Sequence, residues 1–219
     1  MTYCIVATDE INNAMGGAVA TGGPCVGGYV LHASPGVGFI ATQGFSTNTL
    51  YGSKGLKLLE KKIGAAEVCR KLIEEDVGRE FRQLVVLDRS ANTQAWTGEQ
   101  NKEYRGHRLH KGFSLAGNWL VSGGVLDAMQ EAFLSNPAQA IHMRLLTALK
   151  AGFDAGGDRR GTLSAALKVV YIDRPPLDIR VDYDPTPFDK LHEIVEVLRN
   201  NDYQQFLSRI PRPDDPFRY

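Results

Sequence analysis

Residues 2–8 read TYCIVAT, a nearly continuous apolar run that predicts a buried β-strand. Side chains alternate along a strand, so Thr2 and Cys4 are expected on one face and Tyr3 and Ile5 on the other. Three more strands are predicted after it, in GGAVAT ending near residue 21, in GGYVLHA and in VGFIATQ. The sequence therefore opens with a group of strands.

Blocks of helices and strands follow this opening group. The spacing of apolar residues predicts helices at 50–62, 65–76, 125–133, 141–149 and 188–198, and strands at 83–88, 92–98, 112–118, 162–172 and 178–183. Grouped strands and grouped helices favour antiparallel sheets covered by helices over the alternating order of a parallel sheet. We expect an α+β fold, a four-layer αββα sandwich with two mainly antiparallel sheets flanked by helices.

The size and charge of the chain restrict its class. With 219 residues, we expect one domain over residues 1–200, followed by a helix end and a proline-rich tail over 201–219. There are 25 basic and 25 acidic residues, and this balance offers no electrostatic footprint for nucleic acid. No apolar run is long enough to predict a membrane span. The sequence also begins without the basic segment and apolar core of a secretory signal.

The three cysteines show no spacing typical of a metal site. They occur at Cys4, Cys25 and Cys69, and we expect reduced thiols that pack as small apolar side chains in a cytoplasmic protein. No paired metal-ligand or nucleotide-binding motif is present, so no cofactor or metal is predicted. The glycine-dense GGPCVGG at 22–28 is interpreted as a turn between strands.

Thr2 is the first candidate for chemistry. If Met1 is removed, the hydroxyl and a free α-amine lie on the same residue. Such an amine has a pKa of about 7.7–8.0 and can act as the base for its own hydroxyl. The alternative is that Thr2 has no catalytic role, because many proteins begin with Met-Thr.

The segment AGGDRRG at 155–161 is the second candidate region. Its two glycines are expected to end the preceding helix in left-handed conformations. Asp158 beside Arg159 and Arg160 forms either a structural ion pair or a pocket in which guanidinium groups bind a carboxylate.

A third region combines GHR at 106–108 with GN at 117–118. The N–H of Gly117 and the amide of Asn118 end a predicted strand, where they could hold an oxyanion. His107 has a pKa suited to acid–base work, although a lone histidine is more often structural.

Several segments together resemble domain-of-unknown-function family 1028, placed in the Ntn-hydrolase-like superfamily. Each segment alone is weak, and their order and spacing carry the resemblance, which runs from residue 2 to about residue 200. The matching segments are TYCIVATD (2–9), GAVAT (17–21), GVGFIATQGF (36–45), YGSKGL (51–56), DVGREFRQLVVLD (76–88), WTG (96–98), GHR (106–108), GFSLAGN (112–118), AGGDRRGTLSAALKV (155–169) and DIRVDYDPTP (178–187).

The resemblance implies an Ntn-hydrolase-like αββα sandwich in a bacterial, cytoplasmic protein that hydrolyses an amide bond of a small metabolite. Thr2 matches the position of the N-terminal nucleophile. The expected catalytic residues are Thr2, Gly117, Asn118, Asp158, Arg160 and Ser164. The expected substrate-binding residues are Gln43, His107, Arg108 and Arg159.

Three positions depart from the pattern of the family. Gly22 stands where a basic residue or histidine is frequent, and Ala116 and Leu163 stand where glutamine is usual. These losses leave open an altered pocket, or a non-catalytic binding protein on the same fold. A third possibility is a structural subunit with the proline-rich tail as a docking arm. We expect a homo-oligomer, a dimer or higher, because most soluble oligomers are symmetric assemblies of one chain.

Overall fold

A computed structural model describes residues 2–219, in which ten strands form two antiparallel sheets. The strands are β1 Thr2–Asp9, β2 Ala14–Thr21, β3 Leu31–Ser34, β4 Gly38–Gly44, β5 Arg82–Asp88, β6 Thr93–Thr97, β7 Gly106–His110, β8 Phe113–Asn118, β9 Ser164–Tyr171 and β10 Leu177–Val181. Sheet A has the order β10-β9-β2-β1-β8-β7, and sheet B has the order β3-β4-β5-β6. The opening strand β1 is therefore central in sheet A.

Six α-helices accompany the sheets in the described part of the chain. They are α1 Leu50–Glu60, α2 Ala65–Glu74, α3 Gly124–Leu134, α4 Ile141–Asp154, α5 Pro187–Val197 and α6 Asn201–Arg209. The predicted α+β class with antiparallel sheets is confirmed. Within residues 2–219, no helix combines the length and the apolar character that crossing a membrane requires.

Buried side chains form three clusters that follow the alternation of the strands. Tyr3 of β1 belongs to a cluster of sheet A with α3, α4 and α5, whereas Cys4 belongs to a cluster between the two sheets. Phe39 of β4 joins the same inter-sheet cluster, and its neighbour Ile40 packs with α1 and α2. Both faces of these central strands are thus buried, which explains why their sequences read as apolar runs.

Three elements differ from the prediction. The segment GGYVLHA is a strand only over Leu31–Ser34, because Val26–Gly28 form a 3-10 turn that follows Cys25 at a φ of 60°. The edge strand β7 was missed because its sequence GHRLH is polar and only partly buried. The expected tail contains α6, which begins where the side chain of Asn200 accepts a hydrogen bond from the Asp202 N–H at 2.8 Å.

The end of α4 follows the prediction. Gly156 and Gly157 have φ values of 107° and 46° directly after the helix. The N–H of Gly157 donates to the carbonyl of Gly152 at 2.9 Å, which closes the last turn. This turn sets the direction in which Asp158 leaves the helix.

The cysteines do not share one environment. Cys4 and Cys69 are buried, and burial raises the pKa of each thiol to about 12. Cys25 is exposed, so the predicted packing role is wrong for this residue because it lies in the turn after β2 rather than within a strand.

We expect a thiol reagent such as Ellman's reagent to modify one cysteine per native chain and three per denatured chain. The reason is that the thiolate is the reactive form, and two of the thiols are inaccessible and hold their protons. Absorbance titration at pH 8 measures the number. The Cys25→Ser variant should lose the rapid native reaction, and rapid modification of a second native thiol would contradict this assignment.

Candidate functional site

A row of four polar side chains crosses one end of sheet A. Thr2 pairs directly with Thr21 of β2 and with Asn118 of β8, and Thr21 pairs with Ser164 of β9. All four residues are buried. Directly paired residues of an antiparallel sheet point to the same face, and Cys4, two positions after Thr2, lies in the inter-sheet cluster. The row therefore faces sheet B.

Thr2 is held on both its side chain and its backbone. Its hydroxyl donates to the hydroxyl of Thr21 at 3.2 Å. Its carbonyl accepts a hydrogen bond from Nε2 of Gln43 at 3.2 Å. The residue is 7% exposed in the full chain. Met1, whose removal the nucleophile hypothesis requires, lies outside the described residues.

Sheet B contributes a pair of buried glutamines to the same place. Gln43 of β4 pairs with Gln83 of β5, and Oε1 of Gln83 accepts from Nε2 of Gln43 at 2.7 Å and from Nδ2 of Asn118 at 3.0 Å. Nε2 of Gln83 lies 2.9 Å from three acceptors, the Thr97 hydroxyl and the carbonyls of Gly106 and Gly117. Gln83 thus joins the two sheets beside Thr2.

One buried acceptor of this network has no partner within residues 2–219. Oε1 of Gln43 is buried, and no hydrogen-bond donor of the described residues contacts it. Nearly all buried polar atoms in proteins are paired, so such an atom needs an explanation. The α-nitrogen of a residue lies about 3 Å from its own carbonyl oxygen by standard bond geometry. Because Nε2 of Gln43 contacts the Thr2 carbonyl at 3.2 Å, it lies at most about 6 Å from the Thr2 nitrogen.

Asp158 has a fully buried carboxylate, which lies next to Gly22, the residue that follows Thr21. It accepts hydrogen bonds from the Gly22 N–H at 2.6 Å, from the Arg160 N–H at 2.8 Å and from Nη2 of Arg160 at 3.1 Å. A Cβ at position 22 would lie 2.8 Å from the Asp158 carboxylate and 2.6 Å from the Gly161 carbonyl. The departure at Gly22 is thus required by the close approach of this carboxylate.

Two cations lie against the ring of Trp119, the residue after Asn118, and one of them also lies near the ring of Phe45. The Arg160 guanidinium is 5.1 Å from the centre of the Trp119 ring, and Nζ of Lys102 is 3.8 Å from it. Nζ of Lys102 is also 5.6 Å from the ring centre of Phe45, which is exposed. We call these four residues, Phe45, Lys102, Trp119 and Arg160, the cationic rim. Such contacts favour a planar or anionic ligand.

His107 and Ser164 take supporting places. Nδ1 of His107 is 2.9 Å from the Thr97 hydroxyl, which also contacts Gln83. His107 is therefore connected to Gln83 through Thr97 rather than directly. The hydroxyl of Ser164 donates to the Gly23 carbonyl at 2.7 Å and accepts from the Val26 N–H at 3.3 Å. Ser164 therefore fixes the turn after β2 rather than contacting Thr2.

Two residues expected at the site do not join this group, and a third joins it only through its carbonyl. Gly117 lies inside sheet A between Tyr3 and Gly106, where its N–H points towards a neighbouring strand, and its carbonyl accepts from Nε2 of Gln83. Arg108 follows His107 and so faces the helix side, where it pairs with Asp127 at 2.9 Å. Arg159 donates to the carbonyls of Leu120 and Val121 at 3.0 and 3.2 Å.

Gln83, Trp119 and Lys102 were not predicted from the sequence as members of the site. A polar residue at the start of the otherwise apolar run QLVVLD is the signal that could have identified Gln83. Trp119 has a φ of 57°, and its N–H donates to the Lys102 carbonyl at 2.8 Å. Such a long-range contact has no local signature in the sequence.

Burial lowers the pKa of His32, His107 and His142 from 6.5, and neighbouring cations add to this effect. At a pH near these pKa values the unfolded chain binds more protons than the folded chain. The contribution of these histidines to the free energy of unfolding is therefore fully present above pH 6.5, and it is lost as the pH falls towards the lowered pKa values of the folded chain. We expect the free energy of unfolding, measured with urea, to decrease between pH 7 and pH 5. His107→Gln should reduce this dependence, whereas the exposed control His192→Gln should not. A pH-independent stability would contradict the assignment.

The chain is similar to the members of one protein family over most of its length. The model of the family of unknown function DUF1028 matches residues 2–191. The crystal structure of protein SPO2555 from Silicibacter pomeroyi, assigned to the same family, has a TM-score of 0.93 and 35% identity. The alignment spans 99% of this chain and 98% of the SPO2555 chain.

A second solved structure is much less similar. Anbu, the ancestral beta-subunit from Yersinia bercovieri, has a TM-score of 0.40 and 11% identity over 95% of this chain and 98% of that chain. This likeness is too weak to carry an argument about fold or chemistry. None of the curated proteins matches this chain.

Proposed function

The chain belongs to the DUF1028 family, and from the geometry around Thr2 we propose that it is an N-terminal-nucleophile amidohydrolase acting on a C–N amide bond of a small metabolite. One observation carries the proposal. The Thr2 hydroxyl faces the space between the sheets, with Asn118 and Thr21 paired beside it, and the amide of Gln43, whose oxygen has no partner within residues 2–219, contacts the Thr2 carbonyl.

The order of the clusters supports the architecture that this function requires. Helices α3, α4 and α5 share a cluster with sheet A, the sheets share a second, and sheet B shares a third with α1 and α2. We infer from this order a four-layer αββα sandwich of the Ntn-hydrolase type. Thr2 then lies at the edge of the inter-sheet layer.

The first half of the proposed reaction needs a free amine on Thr2. After removal of the preceding residue, Oγ1 of Thr2 attacks the carbonyl carbon of the amide, and its proton passes to the Thr2 amine. Oε1 of Gln43 accepts a hydrogen bond from this amine and orients it. The Asn118 amide donates one N–H to Gln83 and offers its other N–H to the oxyanion.

The second half releases the two products. The tetrahedral intermediate collapses, the C–N bond breaks, and the Thr2 ammonium returns its proton to the leaving amine. The acyl group remains as an ester on Oγ1. A water molecule then attacks this ester, the Thr2 amine takes the proton of the water, and the carboxylic acid leaves as the hydroxyl of Thr2 is restored.

The cationic rim suggests what the substrate carries besides its amide. Lys102 and Arg160 place two positive charges on the Trp119 ring, next to the proposed oxyanion donor Asn118. The hydrogen bonds of a guanidinium or an ammonium to a carboxylate are charge-assisted and about twice as strong as those between neutral groups. We therefore propose that the substrate amide has a carboxylate of its own, held by the rim while Asp158 fixes Arg160.

A non-catalytic ligand-binding protein is the second candidate. It is favoured by the low exposure of Thr2 and by Ala116, which packs in the inter-sheet cluster at a position where the family usually has glutamine. Binding at the rim requires no free amine. The two candidates therefore differ in whether residue 2 begins the mature chain.

The intact mass of protein purified without a leading tag tests this difference. For the hydrolase we expect a mass lower by one methionine residue, and Edman degradation should release threonine first. If every molecule in the preparation retains Met1, this result would contradict the hydrolase and favour the binding protein. A screen of small N-acyl amino acids, followed by detection of the released amine, then tests for activity.

A further inference from the structure

A cleft of about 660 Å³ lies far from Thr2, between the start of α4, the turn from β9 to β10, α5 and α6. Tyr171 lines it, and Tyr171 pairs through Ala14 with Asp9, at the end of β1 opposite to Thr2. Asp9 is seven residue steps along the strand from Thr2, which corresponds to about 23 Å at 3.3 Å per residue. The cleft is therefore distinct from the candidate active site.

The charges that line this cleft are of one sign. Arg174, Arg199 and Arg212 contribute to the wall, and none of the described lining residues is acidic. The chain as a whole has equal numbers of acidic and basic residues, so this is a local excess. Arg174 and Arg199 each pair with an adjacent acidic residue outside the lining.

Arg212 is the cation without such a partner. Among residues 2–219, Arg212 forms no side-chain ion pair, and its Nε is buried without a hydrogen-bond acceptor. The pKa of Asp173 is lowered first by its hydrogen bond from Arg174 and, to a smaller extent, by the charge of Arg212, which lies near enough to act on it. A buried guanidinium nitrogen without an acceptor is costly and is normally satisfied. An anion bound in the cleft would supply the missing acceptor.

The rest of the wall is largely apolar. Met143, Leu177, Val195 and Leu207 line it together with two consecutive prolines, Pro175 and Pro176. Pockets for small organic ligands have volumes of about 300–1,000 Å³ and combine apolar walls with a few polar groups. The cleft has this size and this composition.

We infer that the cleft binds a small amphipathic organic anion, with its carboxylate or phosphate head on Arg212 and its apolar part against Leu177, Val195 and Leu207. Tyr171 and Leu177 of the lining belong to the region matched by the family model, whereas Val195, α6 and Arg212 lie beyond residue 191. The ligand therefore contacts both parts and holds α6, which has no buried residue of its own, against the body of the protein.

Isothermal titration of the full-length chain with octanoate and octyl phosphate tests the inference, with octanol as the uncharged control. We expect at least one of the anions to bind with a Kd below 1 mM and at least tenfold more tightly than octanol. The better anion identifies the head group. Equal binding of octanol, or no binding of either anion, would overturn the inference.

The variants assign the site. Arg212→Gln should weaken binding of the better anion at least tenfold, whereas Arg209→Gln, an exposed arginine of α6 that does not line the cleft, should leave it unchanged. Arg174→Gln provides a second test if Arg212→Gln alters the circular dichroism spectrum. Thr2→Ala should bind normally, which separates this site from the proposed active site. Unchanged affinity in both cleft variants would contradict the assignment.

Discussion

Replacing Thr2 by alanine is expected to abolish amide hydrolysis, with turnover lowered at least about 10³-fold. The hydroxyl is the proposed nucleophile, and no other hydroxyl in the row combines with an α-amine. Thr21, its closest hydroxyl neighbour at 3.2 Å, lies in the interior of the chain and has no free amine to act as base. The substrate identified by the amide screen provides the assay, and kcat is the quantity to compare.

Two matched variants control this experiment. Thr2→Ser keeps a hydroxyl and an amine and should retain substantial activity. Thr8→Ala removes a hydroxyl from the same face of the same strand at its other end, where it contacts the Ala14 carbonyl, and should leave kcat unchanged. A β-lactone probe should add its acyl mass to the wild type and not to Thr2→Ala. Full activity of Thr2→Ala would remove the mechanism.

Gln83→Leu is expected to lower the free energy of unfolding by about 3–5 kcal/mol, since several buried groups lose their partners and each unpaired group costs about 1–3 kcal/mol. Gln83 is fully buried and accepts from Gln43 and Asn118. Leucine has a similar size but neither donates nor accepts a hydrogen bond. The Asn118 amide and the carbonyls of Gly106 and Gly117 would then lose the bonds that Gln83 provides.

Urea unfolding at pH 7.5 measures this change, and the thermal midpoint should fall by about 10 °C for a chain of this length. Gln94→Leu is the control. Its side chain is half-buried on the neighbouring strand β6, and within residues 2–219 it bonds only to the Ala95 N–H, so we expect a loss below about 1 kcal/mol. If Gln83→Leu were no more destabilising than this control, Gln83 would not bridge the sheets as described.

Gln83 therefore contributes both to the stability of the fold and to the arrangement of the candidate site. Gln83 holds Gln43 and Asn118, the two amides that the proposed mechanism assigns to the Thr2 amine and to the oxyanion. A change at Gln83 should therefore reduce activity even where the protein still folds. A network whose members are all buried responds as a unit, and double-mutant combinations of Gln83→Leu with Gln43→Leu should be non-additive.

Parts of the site could be predicted because they rest on local pattern. The alternation of TYCIVAT placed Thr2 and Cys4 on one face, and the end of GFSLAGN placed Asn118 at the end of a strand. The paired glycines before Asp158 correctly predicted a left-handed turn. Arg108 was assigned from its neighbourhood in sequence, although adjacent strand residues face opposite sides and only His107 shares the face of Thr2.

By itself the sequence determined most of the helices and strands, although not the polar edge strand β7 or helix α6, because apolar periodicity and glycine positions act over a few residues. It also determined that the opening strand is buried on both faces. Only the tertiary structure decided that Thr21, Asn118 and Ser164 lie in register with Thr2, that Gln43 and Gln83 reach them from the other sheet, and that Arg212 lines a separate cleft. The physical reason is that strand register and the packing of one sheet on another depend on contacts between residues far apart in the chain, and these leave no periodic pattern in any one segment.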